Sequence, residues 1–294
     1  MRILIIGNGS IGNRHARLLA SAGHEIGVLS ARPVEDHRGF TSLEDALTVF
    51  LPDLVIVASV TSRHGADLVA LSELGYSKSV LVEKPLLATI PKGGIAKPRL
   101  PVQVAYNLRF HPVIIALRKV LEEKTILATH IIAGQHLSQW RPGRDMLSTY
   151  SASKAAGGGV VRDLSHELDL AQYVLGPLWL IASHSARVGN VTVDSEDVAA
   201  AILSSPSCPL ITIHLNYLDH QPRRHWLIIT ETATIEVDLI KSTLSINGNV
   251  ETFPLAPDQT YKRMHQAVLA GESGPCNWEE GIAAVVLADR IAPL

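Results

Sequence analysis

The sequence predicts an α/β chain in two parts, a doubly wound parallel sheet followed by an α+β domain on a mostly antiparallel sheet. Up to Tyr106, β-branched apolar runs alternate with helical patterns, the order of repeated β-α-β units. A glycine-rich turn follows the first run, and beyond Glu123 the strand-like runs succeed one another with one helix among them. With 294 residues, 47% of them hydrophobic, the chain can fill two cores, and the expected domains are 1–122 and 123–294.

In the first part, strands are expected over 2–6, 25–30, 54–59, 79–82 and 102–106. Between the first two, Ile11, His15, Leu18, Leu19 and Ala22 recur at helical spacing and Gly23 stops the pattern. Ser42 offers a hydroxyl cap with Asp45 three residues on, and a third helix runs over 61–74 to Gly75. The segment 91–101 is rich in Pro, Gly and Lys and reads as a loop. After a connecting helix over 112–123, strands are expected over 125–140, 178–188, 197–204, 210–218, 226–235 and 243–253. A helix over 160–175 interrupts them and ends at Gly176-Pro177, and two helical segments, 259–270 and 278–291, close the chain.

Composition removes several functions. Lys and Arg total 26 against 28 Asp and Glu, so no surplus cation is available for nucleic acid or an anionic membrane surface. No apolar stretch reaches the roughly 18 residues of a membrane helix, and the opening run 3–6 is too short for a secretory signal, so the expected compartment is the cytoplasm. Cys208 and Cys276 lack a C-x-x-C or histidine pairing and read as free thiols; no metal site is expected.

Gly7-Asn8-Gly9-Ser10-Ile11-Gly12 follows a strand and opens a helix, the context in which G-x-G-x-x-G binds a dinucleotide. Gly7 permits the turn, Gly9 admits the pyrophosphate, Gly12 lets helix and strand approach, and the helix N-terminus presents N–H donors to the anion. This is a Rossmann signature. The end of the second strand holds Ser30, Ala31 and Arg32 in place of the acidic residue that binds an adenosine ribose. A hydroxyl and a guanidinium suit a 2′-phosphate, so NADP(H) is expected in preference to NAD(H); a solvated Arg32 is the competing reading.

Two groups could carry chemistry. Glu83-Lys84-Pro85 ends the fourth strand, where parallel sheets hold ligands, and a lysine there could exchange a proton with a substrate hydroxyl. A surface lysine before a turn proline serves the same three residues. Gly157-Gly158-Gly159 precedes Asp163, His166 and Asp169, whose spacings of three place carboxylates beside an imidazole on one helix, as an acid/base pair needs. Capping and surface ion pairs explain that set as well.

Together these residues resemble the glucose-fructose oxidoreductase, inositol dehydrogenase and rhizopine catabolism (Gfo/Idh/MocA) family. The resemblance runs through GNGSIGNRH at 7–15, the loop 59–64, Glu83-Lys84-Pro85, YNLRFHP at 106–112 and 157–176, nearly the whole chain. It implies an NAD- or NADP-dependent oxidoreductase of a sugar derivative, with an open second sheet that forms a homodimer or homotetramer. It implies that Lys84 contacts the reacting hydroxyl, that His166 is the acid/base histidine and that Asp163 is its companion. Ser59, Thr61, His64 and Glu83 fall among the implied cofactor contacts. Tyr106, Asn107, Arg109 and Trp140 fall among the substrate contacts, with His136, Gln139 and Arg141 as further polar neighbours. The sequence departs from the family by spacing Asp163 and His166 three apart instead of four, and it is short around 89–101 and near the C-terminus. The alternatives are a dinucleotide-binding regulator without catalysis, or a reductase of a non-sugar substrate.

Overall fold

A computed structural model of the chain describes residues 1–140, 157–191 and 193–293. They form two compact units, Met1–Asn107 with Tyr261–Ile282, and Leu108–Thr260 with Ala283–Leu294. The units part fifteen residues before the expected boundary at 122 (122 − 107). The reason is the helix Pro112–Leu121, whose Val113, Ile114, Leu117 and Leu121 belong to the core of the second unit.

In the first unit, β1 (Arg2–Ile6), β2 (Glu25–Leu29), β3 (Arg38–Phe40), β4 (Leu54–Val57), β5 (Ser79–Val82) and β6 (Val102–Val104) are parallel, in the order β6-β5-β4-β1-β2-β3. A short strand from the tail, Cys276–Asn277, adds antiparallel to β6. All four residues of β4 and four of the five in β1 are buried, as expected of strands covered on both faces. Helices α1 (Ser10–Ser21), α2 (Leu43–Asp45, continued by a π turn to Phe50) and α3 (His64–Glu73) connect the strands. Ser42 caps α2 as expected, accepting the Asp45 N–H at 3.3 Å. The edge strand β3 was not expected, since Arg-Gly-Phe has neither the length nor the alternation of a strand signal. The segment 91–101 holds turns and no helix.

The second unit is an eight-stranded sheet of β7 (Ile126–Gly134), β8 (Trp179–Ala186), β9 (Val198–Ser204), β10 (Ile211–Asn216), β11 (Arg223–Thr230), β12 (Thr234–Asp238), β13 (Thr243–Ile246) and β14 (Asn249–Thr252). Its order is β14-β13-β12-β11-β7-β10-β9-β8, antiparallel except where β10 runs parallel to β7. Three expected strands divide. The run 125–140 ends as a strand at Gly134 and turns into the helix Leu137–Trp140. The run 226–235 is the junction of β11 and β12, and 243–253 is the hairpin β13–β14. Asn247 and Gly248 both take positive φ, 50° and 85°, giving the two-residue turn whose twist suits a hairpin.

One face of this sheet is covered by α4 (Pro112–Leu121), α6 (Val160–Asp163), α7 (Ser165–Leu175) and the end of the last helix, around Trp226, Tyr217, Ile131, Ile213, Leu168 and Leu287. The opposite face is lined in cross-strand register by Leu227, His130, Thr212 and Ile202, with Ile202 exposed. The expected helix over 160–175 is broken at Leu164 (φ −92°, ψ 22°), between Asp163 and His166. The tail supplies α8 (Gln259–Ala270) and α9 (Trp278–Ile291), of which residues Tyr261–Ile282 pack in the first unit.

Candidate active site

Because β1, β2, β4, β5 and β6 are parallel, the segments that follow them emerge at one edge of the first sheet. That edge collects the glycine turn after β1, Ser30 and Arg32 after β2, Ser59 and Thr61 after β4, Lys84 after β5, and Tyr106 and Asn107 after β6. The sites expected of the first unit are thus brought together by topology, at the position where such sheets hold ligands.

The glycine turn is built by close contacts. Gly7 adopts φ 113° and donates its N–H to the Leu29 carbonyl at 3.0 Å. A Cβ on Gly12 would lie 2.0 Å from the Gly7 carbonyl oxygen, so α1 starts hard against the end of β1. Gly9 differs: a Cβ there would meet nothing within 4 Å. The helix it caps has no acidic residue in its first turn, so its N–H donors face an open, anion-compatible cradle in which a pyrophosphate fits. Asn8 Nδ2 donates to the Pro33 carbonyl at 3.0 Å, tying this turn to the loop after β2. In that loop Ser30 Oγ accepts the Arg32 N–H at 2.9 Å, and Arg32 is exposed.

Three expected cofactor contacts serve the scaffold. Ser59 Oγ donates to Asp67 at 2.6 Å, and His64, 1% exposed, bridges the carbonyls of Ser59 and Pro85 at 3.2 and 3.1 Å. These side chains brace the loop after β4 against the turn after β5. Glu83 is 6% exposed, with Oε1 2.9 Å from His15 Nε2 and Oε2 accepting the Lys84 N–H at 3.0 Å. Burial pushes the Glu83 carboxyl up, but the His15 bond and neighbouring charges outweigh it and hold the group below the usual carboxylate range. Thr61 opens a short 3-10 turn before α3.

In the second unit the break at Leu164 replaces the single helical face expected for Asp163 and His166. Asp163 ends α6, 5% exposed, and its Oδ2 accepts the Tyr217 hydroxyl at 2.6 Å; His166, in the first turn of α7, is half-buried. Asp169, expected beside His166, pairs with Arg109 through contacts of 2.6, 2.9 and 3.1 Å. The guanidinium, 1% exposed, also lies 4.5 Å from the Tyr173 ring centroid. Arg109 is thus held as a buried cation: such a charge needs a partner, and Asp169 supplies it. Trp140 ends the short helix Leu137–Trp140, its side chain outside the described part of the structure, and Arg141 lies outside the described residues.

Comparison with known proteins decides the family. Residues 1–93 match the oxidoreductase family with an NAD-binding Rossmann fold, and residues 114–236 match the GFO/IDH/MocA C-terminal domain. The chain belongs to the Gfo/Idh/MocA family. Inositol 2-dehydrogenase 1 of Saccharopolyspora erythraea is 25% identical, over 98% of this chain and 92% of that one. Among solved structures, levoglucosan dehydrogenase in complex with NADH and levoglucosan superposes with a TM-score of 0.82 at 17% identity, covering 99% of this chain and 96% of that one. UDP-N-acetylglucosamine 3-dehydrogenase from Acidithiobacillus ferrooxidans does so with a TM-score of 0.78 at 21% identity, over 99% and 96% of the two chains. The expected two-part α/β architecture of this Gfo/Idh/MocA protein, a Rossmann sheet and a mostly antiparallel second sheet, is the architecture found.

Sequence reasoning missed Tyr217 as the partner of Asp163 and His265 as the partner of His15, contacts across 54 and 250 residues that no spacing encodes. His15 was visible only as one position on the inner face of α1. The open space at Gly9 yields a direct test. Gly9→Ala leaves the melting temperature within about 2 °C, since its methyl group meets no atom, while weakening dinucleotide binding by about tenfold or more in calorimetric titration.

Proposed function

We propose that this chain is an NAD(P)-dependent dehydrogenase acting on a hydroxyl-bearing carbon of a sugar or sugar derivative. The observation that carries the reading is the open cradle at Gly9 on the same sheet edge as Lys84. The named relatives act on polyhydroxylated compounds, inositol, levoglucosan and a nucleotide sugar, and all three match nearly the full length of this chain. When bound, the dinucleotide supplies the hydride acceptor or donor.

The chain's own residues supply binding, orientation and proton movement. The N–H groups of the turn 7–12, with Asn8, Ser10 and Ile11 in it, hold the pyrophosphate at the start of α1. Ser30 and Arg32 receive the adenosine ribose, and Thr61 flanks the cofactor from the loop after β4. Lys84 Nζ hydrogen-bonds the reacting oxygen and stabilises the charge that develops there. His166 takes or returns the hydroxyl proton, and Asp163, held by Tyr217, is the acidic partner that favours its charged form. Tyr106, Asn107 and Trp140 are assigned to the substrate side.

Several finer assignments follow from particular observations. The cofactor preference is NADP(H), because the exposed Arg32 and the Ser30 hydroxyl stand where a ribose-binding carboxylate is usual. Self-association uses the face of the second sheet opposite its covering helices, where among the described residues apolar Ile202, Ile229 and Trp179 are exposed beside His184, His214 and His225. The compartment is the cytoplasm, an assignment resting on the sequence alone; among the described residues no helix is long and apolar enough to cross a membrane.

Three measurements test these assignments. Reduced-cofactor absorbance is followed with myo-inositol, levoglucosan, D-galactose and UDP-N-acetylglucosamine. Turnover of at least one is expected, and Lys84→Met lowers kcat by roughly 10²-fold while dinucleotide affinity stays nearly constant. Silence towards every compound despite tight cofactor binding would favour a regulatory protein. KM for NADP falls below that for NAD, and Arg32→Ala raises the NADP value by about tenfold; equal wild-type values contradict the preference. In sedimentation, wild type runs as a dimer or tetramer and Ile202→Lys as a smaller species, whereas a wild-type monomer at micromolar concentration removes the assembly.

A further inference from the structure

The strand end that carries Lys84 also holds a chain of ionisable side chains to which the reaction described above gives no part. Glu83 turns into the interior of the first unit, where its Oε1 meets His15 Nε2 at 2.9 Å. His15 Nδ1 meets His265 Nε2 at 2.7 Å. These residues are 6%, 0% and 4% exposed and come from the end of β5, from α1 and from α8. The carboxylate fixes one proton of the chain: an ionised Glu83 only accepts, so His15 Nε2 carries hydrogen, and the contact between His15 Nδ1 and His265 Nε2 holds one further proton shared between the two rings.

Burial above all holds the His265 imidazole down to about 3, so near neutrality this ring is uncharged and offers His15 either one N–H or one lone pair. Tyr261 packs edge-on to His15 with ring centroids 5.6 Å apart, and the Arg14 guanidinium covers the outer side of Tyr261 at 4.4 Å. The other Glu83 oxygen accepts the Lys84 backbone N–H at 3.0 Å, and the carboxylate also feels the Lys84 charge. A buried carboxylate is costly unless donors surround it. Here two donors fix one carboxylate against the residue that bears the ammonium group.

We propose that the His265–His15–Glu83 chain positions Lys84, clamping its backbone amide with a carboxylate fixed on the preceding residue, so that the tail helix α8 helps to aim the lysine. The proposal rests on the assignment of Lys84 to the reacting oxygen. His15, Glu83 and His265 are positioning residues; Glu83, expected among the cofactor contacts, acts in this proposal through Lys84.

The test uses the full chain and two readouts. The first is acetylation of Lys84 by acetic anhydride as a function of pH, read by peptide mass spectrometry, which needs no substrate. Glu83→Gln keeps the shape and removes the charge, and the midpoint of Lys84 labelling moves to lower pH by roughly half a unit or more. The second is kcat on whichever compound of the panel is turned over fastest. Glu83→Gln lowers it by about tenfold with dinucleotide affinity unchanged within about twofold. His265→Leu, which removes the hydrogen-bond partner of His15, lowers kcat by about threefold or more relative to His265→Gln, which retains a polar group able to donate or accept. Should Glu83→Gln lose its cooperative melting, the His265 pair carries the test alone, and equal kcat and equal labelling midpoints in that pair overturn the proposal. Unchanged turnover in Lys84→Met overturns the assignment of Lys84 and the proposal with it. Reduced turnover there, with wild-type midpoint and kcat in Glu83→Gln, overturns the proposal alone.

Discussion

Gly12 rests so closely on the Gly7 carbonyl that a single methyl group at that position would stand 2.0 Å from the oxygen. This contact presses the start of α1 onto the end of β1, and much of the first unit's working edge depends on it. It leaves the first N–H groups of the helix directed at the open space beside Gly9. It also sets the inward face of α1, so that His15, three residues on, arrives at hydrogen-bond distance from Glu83. One steric constraint thus places both a cradle for a dinucleotide and the brace beneath Lys84.

The second unit is organised by buried charge as well as by apolar packing. Arg109 meets Asp169, Arg162 meets Asp289 at 2.5 Å and the Ala292 carbonyl at 2.9 Å, and Arg224 meets Glu167 at 2.8 Å. Each pair ties one of the helices α6 and α7 to another segment of that unit. For Arg109 and Asp169, both almost fully buried, removing one partner costs roughly 3–5 kcal/mol, because the remaining charge stays buried. Glu167 shows the strain of this arrangement: burial pushes its carboxyl up, and Arg224 and the Trp226 indole offset only part of it. The break at Leu164 lies among these anchors, so Asp163 and His166 receive their directions from two separate helices.

Much of the fold was legible in the residues. The parallel strands were found because a strand buried on both faces reads as an apolar run, and their ends erred by one or two residues. Errors gathered where a local turn overrides a longer pattern. Asn247-Gly248 divides one apparent strand into a hairpin, and the chain leaves β7 at Gly134 although apolar residues continue to Leu137 and Trp140. In the site, the glycine turn and Lys84 were legible because each follows a strand at a position defined by topology. The buried partners that Arg109, Glu83 and His64 engage were not legible, since residue type shows what a side chain can bind but not which distant group packs against it.

By itself the sequence determined the two-part architecture, the glycine turn and the residue types present at the sheet's carboxyl edge, because these depend on short-range periodicity and on sterics among neighbours. Tertiary structure alone decided which ionisable groups meet. His265 reaches His15 across 250 residues, Tyr217 reaches Asp163 across 54, and Asp169 turns to Arg109 across 60. Such pairings arise from the way separate elements pack within a unit, and hydrogen bonds between distant segments leave no periodic trace in the chain that makes them.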